Sequence, residues 1–271
     1  MTAVPSRTRI SPYWSRPHLV EQLLDVLTAT GLDLRTTTPD TLAPLDQFHG
    51  GGKEATRMLA HQAEITAGMR VLDVGGGLGG PARMLAVERG TQVTIVDLTL
   101  DYLWAGQLLT SRMGLAGQVT VCHGDALALP FADASFDLVW TQNSGMNIAD
   151  KARLYGGFFR VLRPGGRLAQ VEPIAGPVQP LHFPLMWATT PTDSHLLEAD
   201  VLHRLILAAG FRARHWNPAV HFPEPAPTPG PSLPPIQRLI MGEGLAAIQE
   251  ARDRNQTEDR LRTMLAVFER P

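Results

Sequence analysis

Cysteine is almost missing: Cys122 stands alone among 271 residues. That excludes an internal disulfide framework and a cysteine-based zinc site, and it agrees with a reducing compartment. An excess of one charge is missing too, since 24 Lys and Arg balance 26 Asp and Glu for a formal net charge of -2. No global field draws such a chain to nucleic acid or to an anionic membrane, and a small, roughly neutral ligand suits it better. Long apolar runs are also lacking. The N-terminus, MTAVPSRTRISPYWSRP, has no apolar core of signal-peptide length, and nowhere does an uncharged apolar stretch reach membrane-spanning length. A soluble cytoplasmic protein is expected, with no metal site, no nucleic acid and no membrane among its partners.

What is present is an alternation of short apolar runs and helical patterns. MRVLDV, TQVTIVD, QVTVCHGDA, SFDLVWTQ and RLAQVEP read as five buried strands, and Cys122 in VTVC as a buried strand residue. PARMLAVERG, DYLWAGQLLTSRMG and DKARLYGGFFRVLRPGG read as the helices between them, the last stopped by Pro164 and two glycines. Strands alternating with helices predict a parallel sheet covered on both faces. Before it, Leu19, Leu23, Val26 and Leu27 recur at helical spacing up to Gly31, a loop follows, and Ala55, Met58, Leu59, Gln62 and Ala63 form a second helical face. After Pro173 the rhythm breaks, then resumes with a helix near Glu198 to Ala209 and a short strand FRARHW. Two amphipathic helices, about 236 to 252 and 257 to 269, are expected to close the chain.

The expected organisation is therefore a flexible arm over 1–17, a helical cap over 18–67 and a core over 68–220 with a lid insertion at about 174–197. A proline-rich spacer over 221–235 and a C-terminal helical lid or dimer contact over 236–271 complete it. A monomer or homodimer fits this layout.

The chemistry concentrates in VLDVGGGLGGPARML, residues 71–85. Gly75, Gly77 and Gly80 satisfy the G-x-G-x-x-G pattern of dinucleotide binders, which alone points to a nicotinamide or flavin enzyme. A glycine loop between strand and helix lets backbone N-H groups approach either a pyrophosphate or an amino acid carboxylate. Asp73 separates the two, because its charge repels a diphosphate and attracts a ligand ammonium. Asp97, at the end of the second strand, is placed to accept from both hydroxyls of a ribose, and Asp125 in HGDALALPF from an adenine amino group. The structural alternatives are a hydrogen-bonded strand end for Asp73, an N-cap for Asp97 and a turn cap for Asp125.

Through VLDVGGGLGG, VTIVDLT, HGDALALPF, FDLVWTQ and LRPGGRLAQVE, in this order, the chain resembles the class I S-adenosylmethionine-dependent methyltransferases from about Leu45 to Trp216. The resemblance implies a Rossmann-like α/β fold, a seven-stranded, mostly parallel sheet with one reversed strand and helices on both faces. It places Asp73 and the glycine loop at the methionine part of S-adenosylmethionine, Asp97 at the ribose, and Asp125 with Ala126 at the adenine. Within that superfamily, LDQFHGGGKEAT and WTQNSGMNIADK are similar to the glycine, sarcosine and dimethylglycine N-methyltransferase group and related small-molecule enzymes. Their upstream motif contributes to cofactor enclosure, which makes Gln47, His49 and Gly51 candidates.

The cofactor site expected from this resemblance comprises Asp73, Gly75, Gly77, Gly79, Asp97, Leu98, Asp125, Ala126 and Gln142, with His49, Gln142 and Asn143 as catalytic candidates. Tyr13, Trp14, Asn147, His182 and Trp187 are candidates for the acceptor side. Tyr13, Trp14, Trp140 and Trp187 offer aromatic faces to a sulfonium, and His49, His182 and His195 are the candidate bases. The expected activity is methyl transfer to a small molecule at an amine nitrogen. Transfer to carbon or oxygen of a secondary-metabolite or isoprenoid-like acceptor is the alternative. A nicotinamide oxidoreductase and a non-catalytic cofactor-binding protein are the rivals from other classes, the first opposed by Asp73 and by the lack of a Tyr-x-x-x-Lys pair.

Overall fold

The computed structural model describes residues 13–223 and 232–271. Its strands are β1 (Arg70–Val74), β2 (Gln92–Asp97), β3 (Val119–His123), β4 (Phe136–Gln142), β5 (Leu162–Ala175), β6 (Arg212–Asn217) and β7 (Leu261–Glu269). They form one seven-stranded sheet in the order β3-β2-β1-β4-β5-β7-β6. The pairs from β3 through β5 are all parallel, and β7 runs antiparallel to both β5 and β6. The central strands are apolar without alternation because both faces are covered. On one face Leu59, Leu85 and Leu103 pack with Val71, Ile95 and Trp140. On the other, Leu154, Phe158, Leu202 and Ile206 pack with Leu72, Val139, Leu168 and Phe268.

The helices that cover the sheet follow the expected order. After α1 (Leu19–Thr30), α2 (Pro39–Asp46) and α3 (Gly52–Gln62) come α4 (Gly80–Arg89), α5 (Leu100–Arg112), α6 (Lys151–Val161) and α7 (Ala199–Ala208). Then α8 (Ile236–Met241) and α9 (Leu245–Thr257) precede β7. Residues 39–46 were expected as loop and are helical. Thr38 caps them by accepting from the Thr41 N-H at 3.2 Å, and Pro39 fits the first turn, where a missing N-H is harmless.

The larger correction concerns residues 257–269. Leu261, Met264, Leu265 and Phe268 recur at helical spacing, yet these residues form β7, the reversed strand. The run Met264 to Phe268 is buried on both faces between β5 and β6, so its continuous apolarity reflects a central strand and the helical spacing within it is incidental. The single helix expected over 236–252 is two, α8 and α9, separated by a turn at Gly242–Gly244. The sheet domain thus extends beyond 220 to include residues 261–269. β5 also begins earlier than expected, directly after α6. Residues 163–166 loop out of register between the Phe136 and Leu138 pairings, which accommodates Pro164 and its two glycines. Cys122 is only half-buried, because β3 is an edge strand.

Residues 1–12 of the arm and 224–231 of the proline-rich spacer lie outside the described residues. Residues 13–17 dock: Trp14 meets Phe48 edge-on at 5.9 Å between ring centres, and Arg16 Nε donates to the Ile240 carbonyl at 2.8 Å. The arm thereby ties α8 to the N-terminal helices, whose Leu19, Leu23 and Leu45 share a core with Ile236 and Ile240.

Candidate functional site

A cavity of about 470 Å³ opens over the carboxyl ends of the strands. It sits where neighbouring strands β1 and β4 send their connections to opposite sides, the place where open α/β sheets bind ligands. One half lies over β1, β2 and β3, the other over β4, β5 and β7.

In the first half the chain leaves β1 through the glycine loop and enters α4. Gly75 has φ +71, and a Cβ there would meet Ser144 Cβ at 2.5 Å. Gly77, at φ +52, has no heavy atom within 4 Å of a Cβ position, so its open side faces the cavity it lines. The Gly77 N-H donates to Asp97 Oδ2 at 3.0 Å, and the Thr99 N-H to Asp97 Oδ1 at 2.8 Å. Asp97 therefore shapes the loop while lining the cavity. Burial raises its pKa against those backbone bonds.

Asp73 is 2 % exposed, and its buried Oδ2 has no hydrogen-bond partner. Desolvation, with Asp97 adding repulsion, pushes its pKa up to about 8. Asp73 lines the cavity while its orphaned Oδ2 is buried against Gly76, 2.6 Å from where a Cβ there would sit, so a donor or cation reaching it would relieve the burial, and a diphosphate would not. Asp125 caps the turn after β3 by accepting from the Leu127 N-H at 2.9 Å. It lines the cavity beside Ala126, while Leu98 and Thr99 come from the end of β2. Three acidic residues at three strand ends, an orphan oxygen and an open glycine loop together suit an adenosine linked to an amino acid.

At the centre, a polar chain joins α3, β4 and the segment after α2. Trp140 Nε1, which can only donate, donates a hydrogen bond to Gln142 Oε1 at 3.0 Å. Thr56 Oγ1 reaches the same oxygen at 3.2 Å and Gln47 Oε1 at 2.8 Å. Gln142 Nε2 then faces His49 Nδ1 at 3.4 Å, and His49 Nε2 lies 2.8 Å from Gln47 Oε1. Desolvation lowers the His49 pKa to about 4, so the imidazole is neutral at pH 7.

The loop after β4 is held from behind by Glu172 on β5. Its Oε1 accepts from the N-H groups of Ser144 at 3.2 Å and Gly145 at 3.0 Å. Lys151 Nζ donates to the carbonyls of Gly145 at 2.5 Å and Ile148 at 2.6 Å, and burial pulls its pKa down to about 8. These two side chains fix a loop whose Asn143, Ser144, Met146 and Asn147 line the cavity.

The second half is apolar. Leu185, Met186 and Trp187 from the irregular segment after β5 face Ile240, Leu245, Ile248 and Leu261, with Gln237, Arg238, Gln249, Arg252 and Gln256 beside them. Leu185 and Trp187 pack with Met146 and Leu261.

Of the residues singled out from sequence, Trp14, His49, Asp73, Gly75, Gly77, Asp97, Leu98, Asp125, Ala126, Gln142, Asn143, Asn147 and Trp187 line this cavity. The others do not. Gly79 sits behind the loop, where a Cβ would meet Ile95 at 2.6 Å. Tyr13 donates to the Met186 carbonyl at 3.1 Å and so holds a wall. Gln47 and Gly51 lie behind His49, and Trp140 is fully buried in β4, where it orients Gln142. His182 is outside, engaged at 2.8 Å with Glu258, and the His195 N-H donates to the Met146 carbonyl at 2.9 Å. Sequence reasoning missed Tyr102, which lines the cavity with a buried, unpartnered hydroxyl, and, although it expected residues 236–271 as a helical lid or dimer contact, it named no lining residue of α8 or α9. It also missed the wholly buried Arg83–Asp46 pair at 2.9 Å, which pins α2 beside the glycine loop. Among the described residues no three His, Cys, Asp or Glu side chains converge as a metal site, and no helix is long and apolar enough to cross a membrane.

Comparison with known proteins bears on this geometry. Residues 72–170 match a family model described as a methyltransferase domain. The chain is 36% identical over 131 residues to the methyltransferase GfsG of Streptomyces halstedii, covering 48% of this chain and 46% of that protein. It is 31% identical over 132 residues to the glycine/sarcosine/dimethylglycine N-methyltransferase of Actinopolyspora halophila, covering 49% of this chain and 23% of that protein. Both matches thus span less than half of the relative's length. The fold matches geranyl diphosphate C-methyltransferase from Streptomyces coelicolor A3(2), solved with S-adenosyl-L-homocysteine, with a TM-score of 0.70 at 17% identity over 100% of both chains.

Proposed function

We propose that this chain is a class I S-adenosylmethionine-dependent methyltransferase and that it methylates a small molecule, at an amine nitrogen. The observation that carries the cofactor assignment is the buried, partnerless Oδ2 of Asp73, set against Gly76 in the glycine loop. Asp73 would hold the cofactor's ammonium, the loop and α4 its carboxylate, Asp97 its ribose and Asp125 its adenine edge. The bound cofactor would supply an electrophilic methyl group on a sulfonium, and an acceptor filling the apolar half would keep water from it.

This chain's own residues do the rest by positioning. Glu172 and Lys151 fix the loop after β4, and Trp140 and Thr56 fix the Gln142 amide, so the boundary between the two halves is preorganised. Nitrogen is favoured by the state of His49. With its pKa lowered to about 4 and its ring nitrogens engaged by Gln47 and Gln142, His49 is too weak a base to deprotonate a phenol or a carbon acid, while an amine that arrives uncharged needs no base. Incubation with methyl-labelled S-adenosylmethionine and a panel of amines, phenols and prenyl compounds tests this reading. Release of S-adenosylhomocysteine with label on nitrogen supports it, and label on oxygen or carbon alone removes the nitrogen assignment.

A further inference from the structure

The cavity is divided by charge as well as by strand. Every carboxylate that lines it belongs to the first half or its border: Asp46, Asp73, Asp97 and Asp125. Asp46 pairs with Arg83 through Oδ2 and keeps a buried Oδ1 on the side of the glycine loop. The half over β4, β5 and β7 takes its walls from Met186, Trp187, Leu245, Ile248 and Leu261, and among the described residues it contributes no acidic side chain. Leu245, Ile248, Leu261 and Trp187 are all buried, so this surface is a built pocket wall. Its polar residues are Gln237 and Arg238 from α8 and Gln249, Arg252 and Gln256, which project from the exposed side of α9 to the rim.

We propose that the acceptor is an amphiphile with an apolar body and an uncharged nucleophile. Its body fills the chamber between the 185–187 segment and α9, and its polar or anionic substituents lie at the Gln249, Arg252 and Gln256 rim. This rests on the methyltransferase reading for its chemistry, but the binding it claims is separable from it. The physical grounds are three. Burying an apolar body against aliphatic and indole side chains is favourable in proportion to area. A free zwitterion such as sarcosine would leave its ammonium facing a wall with no carboxylate, a desolvation cost with no return. A cationic acceptor would also meet the rim arginine and the positive end of the cofactor in the same cavity.

The nitrogen that fits is therefore a weakly basic one, of the aryl or conjugated kind, neutral at pH 7 and able to present its lone pair without first losing a proton. The transfer then balances simply. A nitrogen–carbon bond forms, the sulfur–carbon bond breaks with its electron pair passing to sulfur, and the surplus proton leaves the methylated nitrogen for water.

The experiment is equilibrium titration of the full chain, with and without S-adenosylhomocysteine, using 1-naphthylamine as the apolar probe and sarcosine as the zwitterionic one. 1-Naphthylamine is expected to saturate a single site, and sarcosine not to saturate at tenfold higher concentration. Ile248→Asn should weaken 1-naphthylamine about tenfold, which is what losing roughly 50 Å² of apolar contact is worth, with S-adenosylhomocysteine affinity unchanged. Met186→Gln, at a half-buried position, is the second variant and should act in the same direction. Sarcosine saturating below 1-naphthylamine, or 1-naphthylamine binding unmoved by both substitutions, overturns the proposal. Failure of S-adenosylhomocysteine to bind would instead refute the methyltransferase reading, while 1-naphthylamine binding to the free protein still decides this one.

Discussion

Asp73→Asn separates the two jobs of one carboxyl group, stability and cofactor binding, and pH sets which dominates. In the free protein burial lifts the Asp73 pKa to about 8, with Asp97 adding to the effect. A ligand ammonium binds the ionised form, so binding releases a proton below that value. At pH 7 about one-tenth of the protein is ionised at Asp73, a cost of about 1.4 kcal/mol to the apparent affinity. The S-adenosylmethionine association constant should therefore rise about fiftyfold from pH 6 to pH 8 and then level off. Asparagine cannot ionise: in the variant the slope should vanish, and affinity at pH 8 should be at least tenfold weaker, since truncating one partner of a buried charge pair costs about 2–5 kcal/mol.

Stability runs the opposite way. The folded pKa is raised above the unfolded one, so the folded state holds the extra proton between about pH 4 and pH 8 and loses stability as pH rises through that window. Above pH 8 the buried charge costs several kcal/mol, and the cofactor-free variant should melt above the parent at pH 8.5. Calorimetric titration from pH 6 to pH 9 and thermal melts in the same buffers read both effects. A flat parent profile together with unchanged affinity in the variant would refute the assignment of Asp73 to the ammonium.

Three further outcomes are expected. Asp97→Asn turns one of the two carboxylate oxygens, which accept separately from the Gly77 and Thr99 N-H groups, into an amide donor and leaves a ribose one acceptor fewer. S-Adenosylmethionine affinity should fall about tenfold or more, at about 1–3 kcal/mol for an unsatisfied buried group, and an unaltered dissociation constant would show the ribose lies elsewhere. Gly77→Ala adds a methyl at φ +52 toward open cavity. About 1–2 kcal/mol of backbone strain should leave the fold intact, whereas the cofactor should bind more than tenfold weaker, and equal binding would remove the loop from the site. Arg83→Met strands Asp46 without its buried partner. At about 3–5 kcal/mol for a broken buried pair, the melting temperature should drop by roughly 6–10 °C, and a drop under 2 °C in differential scanning calorimetry would contradict that estimate.

The parallel half of the sheet was legible because its strands are bounded on both sides by glycine, proline or acidic residues, and because each is too short to be a helix. The cofactor side was legible for the same reason: Asp73, Asp97 and Asp125 all stand at strand ends that sequence alone can locate. β7 was hidden by Leu261, Met264, Leu265 and Phe268, whose spacing satisfies a helix, and only pairing with β5 and β6 distinguishes the two. The six strands read from sequence left the seventh implied by the family resemblance without a segment, a mismatch that pointed at the error. The acceptor chamber was legible as segments, the lid near 174–197 and the C-terminal helices, but most of its residues were not, for a different cause. Met186, Ile248 and Leu261 are far apart in the chain and meet only because α9 and the 185–187 segment fold over the same strand ends. Trp140 shows the reverse case, an aromatic residue near the site in sequence that lies one step deeper on the same face of β4 as Gln142, inside the core, where its indole orients Gln142.

The central claim is that the glycine loop with Asp73 is a cradle for S-adenosylmethionine, and one calorimetric titration tests it. The full chain at pH 8 should bind S-adenosylmethionine with one-to-one stoichiometry and proton release, and give no heat of binding with NAD. Saturable binding of NAD, with none of S-adenosylmethionine, would contradict it.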